Sequence, residues 1–320
     1  YVPASLGDRI WHDLDADVIQ DGNEPGLVDV TVQLLAADGV TVLATDTTDG
    51  NGIYGFDGLA PGEYGVRVLR PAGYELSQRD RTPDETRDSD ANDAGVIAPT
   101  MIFSGDARTD LDAGLFQRVQ IGDRVWLDTD RDGVQDPTEQ GARGVTVRLL
   151  DADGDEIATT VTDLGGNYSF RDLLPGSYSV QFLAPIGTVF TQHNRGPDDE
   201  ADSDANMVTG RTQQVTLTSG QVNNSLDAGL LIGASIGDRV WADLDRDGQQ
   251  DGEEPGIGNV TVRLLSAAGA VLATTTTDAG GFYSFGNLRP GGYSVEFVTP
   301  ANHTPTLRDI GLDVSDSDAG

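Results

Sequence analysis

The strongest constraint on this chain is that one pattern is written three times. Trp11, Trp126 and Trp241 are the only tryptophans in 320 residues and stand 115 apart. Each sits in a near-identical head: "GDRIWHDLDADVIQDGNEPG", "GDRVWLDTDRDGVQDPTEQG" and "GDRVWADLDRDGQQDGEEPG". Behind each head follow an alternating stretch ("VDVTVQLL", "RGVTVRLL", "GNVTVRLL"), a block around "PGEY", "PGSY" or "PGGY", and an acidic turn ("DSDAN", "DSDAN", "DSDAG"). The first two copies close on "LDAGL", whereas the third reaches Gly320 before that segment would appear. A period this long is a whole domain rather than a solenoid rung. Units are therefore expected over residues 1–118, 119–233 and 234–320, the third lacking its last strand.

Each unit should be all-β. Val145, Val147 and Leu149 alternate with Thr146 and Arg148, the period of a half-buried strand, and Tyr168, Phe170, Tyr178, Val180 and Phe182 continue it around "LLPGS". No segment carries a capped helical stripe. Short strands divided by turn signals, in units of this size, predict a tandem array of three β-sandwich domains. Only "FQRVQ" and "LIGAS" separate one closing segment from the next head, so little hinge is available.

Charge narrows the partners. Twenty basic residues, all arginine, face 53 acidic ones, a net charge of −33. Phosphate backbones and anionic membrane surfaces would be repelled and cations attracted, so nucleic acid is excluded as a partner. Cysteine is absent, which removes disulfides, thiolate metal sites and cysteine nucleophiles. No apolar run has membrane-spanning length, so direct membrane insertion is not expected. The start, "YVPASLGDRIW", lacks the basic-then-apolar pattern of a secretion signal, and the chain reads as a mature portion of something longer.

The head loops concentrate that acidity. In "DTDRDGVQDPTE" carboxylates fall at places 1, 3, 5, 9 and 12 with glycine sixth, the spacing by which a calcium-binding loop wraps one hard cation. The expected ligands are Asp13, Asp15, Asp17, Asp21 and Glu24; Asp128, Asp130, Asp132, Asp136 and Glu139; and Asp243, Asp245, Asp247, Asp251 and Glu254. The seventh places, Ile19, Val134 and Gln249, would each add a backbone carbonyl. The competing reading is a solvated acidic loop. Val18 replaces the glycine of Gly133 and Gly248, and a β-branched residue suits a left-handed bend poorly, so the first site is expected to be weaker.

A second tier of candidates is Asp88, Asp90 and Asn92, Asp202, Asp204 and Asn206, and Asp316 and Asp318. They form either part of another oxygen cage or an ordinary polar turn. Asp112 and Asp227 of "LDAGL" would join a cage if the fold brings them near. The tryptophans are either core anchors or, less economically, a sugar platform. The three histidines share no repeat position, and no Ser-His-Asp or phosphate-loop pattern occurs, so no enzyme is expected.

Together, "GDRVWLDTDRDGVQDPTEQGARGVTVRLL", "TDLGGNYSFRDLLPGSYSVQF" and "DSDAN…LDAGL" resemble the B-repeat domain of the staphylococcal serine-aspartate repeat surface proteins, which is related to the B-type domains of collagen adhesins. The resemblance covers the whole chain. It implies immunoglobulin-like or prealbumin-like sandwiches, calcium-dependent folding, a secreted or cell-surface place, and a stalk or spacer role beneath an adhesive region. By position it puts the calcium ligands on the fifteen acids above. Related domains carry a Lys–Asn isopeptide bond, which a chain without lysine cannot form. The partners so implied are calcium and neighbouring domains or fibre subunits. The alternative is a glycan- or protein-binding accessory module of a secreted carbohydrate-active enzyme.

Overall fold

A computed structural model describes residues 1–79, 87–195, 198–310 and 315–319. Twenty-four strands and no helix occur among them. The alternation read in the second unit becomes a sheet: Thr146–Leu150 lies between Glu156–Val161 and Gly176–Leu183, with Val215–Leu217 beyond. Val147 and Leu149 point inward from the central strand, and Val180 and Phe182 from its neighbour. The facing sheet holds Val119–Leu127 between Asn167–Leu173 and Ala228–Ile232, with Thr188–Phe190 outside. Side chains of both sheets interdigitate into one core, the build of a β-sandwich.

The first unit repeats this plan. Val42–Thr47, Thr31–Ala36, Gly62–Val68 and Val96–Ile102 make one sheet. The opposite layer is split between Ala4–Leu6, with Phe56–Leu59 and Ala107–Arg108, and Ile10–His12, with Ala113–Gln117 and Tyr74–Leu76. In both units the opening strand runs parallel to the closing one, Ile10 beside Ala113 and Val125 beside Ala228. A buried tyrosine pins the approach to the closing strand: Tyr54 donates to the Leu111 carbonyl and Tyr168 to that of Leu226.

The third unit keeps Val271–Thr276, Thr261–Ser266 and Tyr293–Phe297 on one side and Ala234–Arg239 with Phe282–Leu288 on the other. Among the described residues it has no counterpart of the strands that cover Gly176–Leu183 and Val119–Leu127. Val295 and Phe297 are consequently half-buried, where Val180 and Phe182 are enclosed. The same gradient marks the tryptophans. Trp11 and Trp126 are 0% exposed, which makes them core anchors and removes them as a sugar platform, while Trp241 is half-buried.

The connections are tighter than loops. A single residue, Arg118, separates Ala113–Gln117 from Val119–Leu127, and Gly233 alone separates Ala228–Ile232 from Ala234–Arg239. The closing strand of one unit thus runs directly into the opening strand of the next.

The end of each head loop is clamped against the sandwich. Gly26, Gly141 and Gly256 bridge to the three tryptophans. A Cβ built on any of them would overlap a backbone carbonyl, that of Asn51, Gly165 or Gly280. Gly141→Ala is expected to destabilise by about 3 kcal/mol in denaturant melts, because backbone cannot yield as a side chain does. Gly252→Ala, where the new methyl meets nothing, should stay within about 0.5 kcal/mol.

Candidate metal centres

Each head loop leaves the opening strand and returns under the tryptophan. Its first and last acids, Asp13 with Glu24 and Asp128 with Glu139, are buried, and Glu254 is buried in the third copy. Asp128 Oδ2 accepts the Gly133 N–H at 3.1 Å and the Thr191 hydroxyl, and its Oδ1 accepts the Arg131 N–H at 2.6 Å. Asp13 is held likewise by Val18 N–H and the Ser77 hydroxyl, and Asp243 by Gly248 N–H and the Thr306 hydroxyl. Glu139 accepts Thr129 N–H through Oε1 at 2.6 Å and Asp136 N–H through Oε2 at 3.1 Å, closing the loop end to end. Outside, Arg124 donates to the carbonyls of Glu139 and Gly165, as Arg9 does to Glu24 and Asn51 and Arg239 to Glu254 and Gly280. The arginine of "GDR" is therefore a strap for the loop.

Oxygens converge inside this frame. Asp128, Asp130 and Glu139 each offer one within 4.8 Å of the others, as do Asp243, Asp245 and Glu254, and Asp245, Asp247 and Asp251. In the first copy the converging trio is Asp13, Asp15 and Asp17. Asp21, Glu24, Asp132 and Asp136 lie on the same loops but outside these trios. The sixth place is left-handed in all three copies: φ is 84° at Gly133, 82° at Gly248 and 83° at Val18. Valine thus occupies the bend that sequence reserves for glycine, and does so buried at 2% exposure. The fourth place is also left-handed, at Ala16, Arg131 and Arg246, a feature the sequence did not announce.

The acidic turns come to the same end of the sandwich. Asp88, Asp202 and Asp316 bridge to Ile19, Val134 and Gln249, the seventh places of the loops. In the second unit the bonds around that bridge use the Gly133 carbonyl and the Gln135 N–H, the residues flanking Val134. Two segments far apart in sequence thus share one surface.

Behind that bridge lies a second carboxylate cluster. Asp227 N–H donates to Asp204 Oδ2 at 3.1 Å, and Asp112 N–H to Asp90 Oδ2 at 2.9 Å, so "LDAGL" does join the acidic turn. Asp199, Asp202 and Asp204 offer oxygens within 4.8 Å of one another. Asp8 and Asp123 complete the cluster. Their signal, an aspartate recurring in every "GDR", was present in the repeats, and the loop spacing gave it no place. Asp227 is 0% exposed, and neither carboxylate oxygen has a hydrogen-bond partner; buried oxygens of Asp13, Asp112, Asp123 and Asp204 are likewise unmet. Asn92 and Asn206 are not drawn in: their Oδ1 atoms cap local turns, through Ala94 and Val96 and through Val208 and Thr209. Asp318 lies with Asp238 beside Tyr283 in the third unit.

Burial, reinforced by neighbouring aspartates, pushes Asp112 up to about 9 and Asp227 up to about 10. Burial likewise raises Asp123 and Asp204 to about 7. Asp112 and Asp227 so placed hold protons at neutral pH unless a cation replaces them. The donor set is all oxygen and hard, without nitrogen or sulfur. It fits a cation that accepts six to eight oxygens in flexible geometry better than one that demands a strict octahedron.

The SdrD B-like domain family profile matches residues 4–115, 119–230 and 234–320. Serine-aspartate repeat-containing protein F of Staphylococcus epidermidis is 39% identical over 312 residues, which are 97% of this chain and 18% of that protein. Serine-aspartate repeat-containing protein D of Staphylococcus aureus strain Newman is 38% identical over 319 residues, 99% of this chain and 23% of that one. The chain therefore spans about a fifth of the length of these relatives. Among solved structures, BcpA, the major pilin subunit of Bacillus cereus, aligns over 99% of this chain and 96% of its own at 13% identity, with a TM-score of 0.32. So low a score adds nothing to the assignment. Three profile matches across three sandwiches place the chain in the SdrD B-like domain family.

Proposed function

We propose that the chain is a calcium-stabilised stalk of a bacterial surface adhesin, built of domains spanning residues 1–118, 119–233 and 234–320. It works outside the cell and holds an adhesive region away from the wall; it is not an enzyme. The observation that carries this reading is the pair of carboxylate clusters at one end of each complete sandwich, with buried oxygens left unmet at Asp13 in the first head loop and at Asp112, Asp123, Asp204 and Asp227 behind it. Oxygen atoms in that state are costly unless a proton or a cation is bound. The fifteen loop acids supply the first site of each domain. Asp8, Asp88, Asp90 and Asp112, with Asp123, Asp202, Asp204 and Asp227, supply a second in the first two domains.

Calcium is then a structural ligand. With no disulfide available, it ties the head loop and the acidic turn to the same sandwich edge. A cation that binds only the folded domain stabilises it by RT ln(1 + [L]/Kd), about 2.7 kcal/mol at a hundredfold excess over Kd. Extracellular calcium modules bind at roughly 10⁻⁴ to 10⁻³ M, so the surrounding fluid suffices.

Thermal melts should therefore fall on chelation, recover with calcium and fail to recover with magnesium; superimposable melts in all three conditions would refute the reading. Calcium binding at pH 7 should also expel protons from Asp112 and Asp227, seen as a binding heat that varies with the ionisation enthalpy of the buffer. Linkage gives the sign without metal. Folded-state values lie above the unfolded 3.8, so this stability is complete below about pH 4 and lost as pH climbs toward 9 or 10. Melting in chelator should accordingly drop as pH rises from 5 to 8, and saturating calcium should flatten that slope. Val18→Gly should tighten the weakest class of sites roughly tenfold in calorimetry, since a strained left-handed residue costs about 1–3 kcal/mol.

A further inference from the structure

The first two domains meet through a contact that involves the first acidic loop. The turn over residues 218–221 of the second domain is closed by its own bonds, from Gln221 N–H to the Thr218 carbonyl and from Thr218 N–H to Gln221 Oε1. It grips its own linker: Gln117 N–H donates to Ser219 Oγ at 2.6 Å, and Gly220 N–H to the Gln117 carbonyl. Its outer side is set against the first domain. Ser219 N–H donates to the Leu14 carbonyl at 2.8 Å, and Ser219 Oγ lies 2.7 Å from His12 Nε2. His12 in turn packs edge-on against Tyr74, with ring centroids 5.4 Å apart.

Leu14 is the second place of the acidic loop. Its N–H is held by Glu24 Oε1 at 2.5 Å, while its carbonyl is held by Ser219. One residue of the loop is thus fastened to the loop's twelfth-place carboxylate through its N–H and to the next domain through its carbonyl. The first domain holds an internal comparison. Ser104 and Gly105 form the same turn and grip the segment ahead of Ala4–Leu6 in the same way, Val2 N–H to Ser104 Oγ and Gly105 N–H to the Val2 carbonyl. Gly105 and Gly220 even share φ of 80°. Yet Ser104 is exposed and Ser219 is 9% exposed. The burial of Ser219 therefore comes from what it docks against, not from the turn itself.

We infer that the Ser219–Gly220 turn is a docking surface for the acidic loop of the domain ahead of it, so that the angle between the first two domains is fixed only while that loop is ordered by its cation. This inference rests on the calcium reading above. Without a cation, carboxylates crowded within one loop repel and splay. The Leu14 carbonyl then leaves, and a nearly enclosed amide loses its acceptor. What then remains at the joint is the His12–Ser219 Oγ contact and the Arg118–Glu75 ion pair, 2.6 Å long with both side chains more than a third exposed, and these do not hold the angle alone.

The chain has no cysteine, so Val40→Cys and Leu164→Cys introduce a unique spin-label pair at positions 68% and 78% exposed, one in each domain. Distance distributions are recorded on the full chain with saturating calcium and with chelator, alongside calorimetric counts of bound calcium. The expected result is a narrow distribution in calcium that chelation broadens at least twofold. Ser219→Pro removes the N–H that the Leu14 carbonyl holds, at a turn position that accepts proline. It should broaden the distribution in calcium without changing the calcium count, and Ser104→Pro should leave it narrow. A Ser219→Pro distribution as narrow as the parent's overturns the docking role, as does calcium binding that leaves the parent's width unchanged. Absence of any calcium heat overturns the stalk's calcium reading instead, and the Ser219→Pro comparison still decides the docking.

Discussion

Like charges crowded where water cannot reach them are the constraint on which this molecule turns. An ordinary sandwich keeps aspartate on its rim. Here Asp13, Asp112 and Asp227 stand buried at the ends of strands whose own residues are largely apolar, so the fold draws together the groups that most oppose it. The opposition is local and the supports around it are stiff: tryptophan beneath, an arginine strap outside, and a glycine that admits no side chain at the return. Protonation relieves that strain, and in the stalk proposed above a cation would compete with the proton for the same oxygens.

Much of this was legible in the sequence because it is local. The loop spacing, the left-handed sixth place and the alternation of Val145 to Leu149 each depend on residues within a dozen positions of one another. The second cluster was legible only in part. Asp8, Asp90 and Asp112 lie on three segments whose meeting depends on the parallel pairing of Ile10 with Ala113, and no local period reports such a pairing. Asp8 was further disguised by Arg9, whose side chain turns away to the carbonyls of Asn51 and Glu24. Asn92 and Asn206 are the reverse case: their amide oxygens cap local turns, and a turn-capping amide and a ligand amide look identical in a string of letters.

The joints were the least legible. "FQRVQ" reads as a short linker, yet it is nearly continuous strand, and the serine that locks it lies about a hundred residues downstream. The domains are therefore not beads on a string: each begins inside the hydrogen bonding of its predecessor's end.

The parallel seam between opening and closing strands has a mechanical meaning. Where Val125, Trp126 and Leu127 lie beside Ala228, Gly229 and Leu230, the chain enters at one end of the seam and leaves at the other. Tension applied through the termini therefore slides the two strands lengthwise past each other. The hydrogen bonds of the seam share that load and fail together, instead of opening one after another like a zipper. The carboxylate clusters sit beside this seam, with Asp227 immediately before Ala228, so whatever occupies them also rivets the place where a pulled domain would first give way.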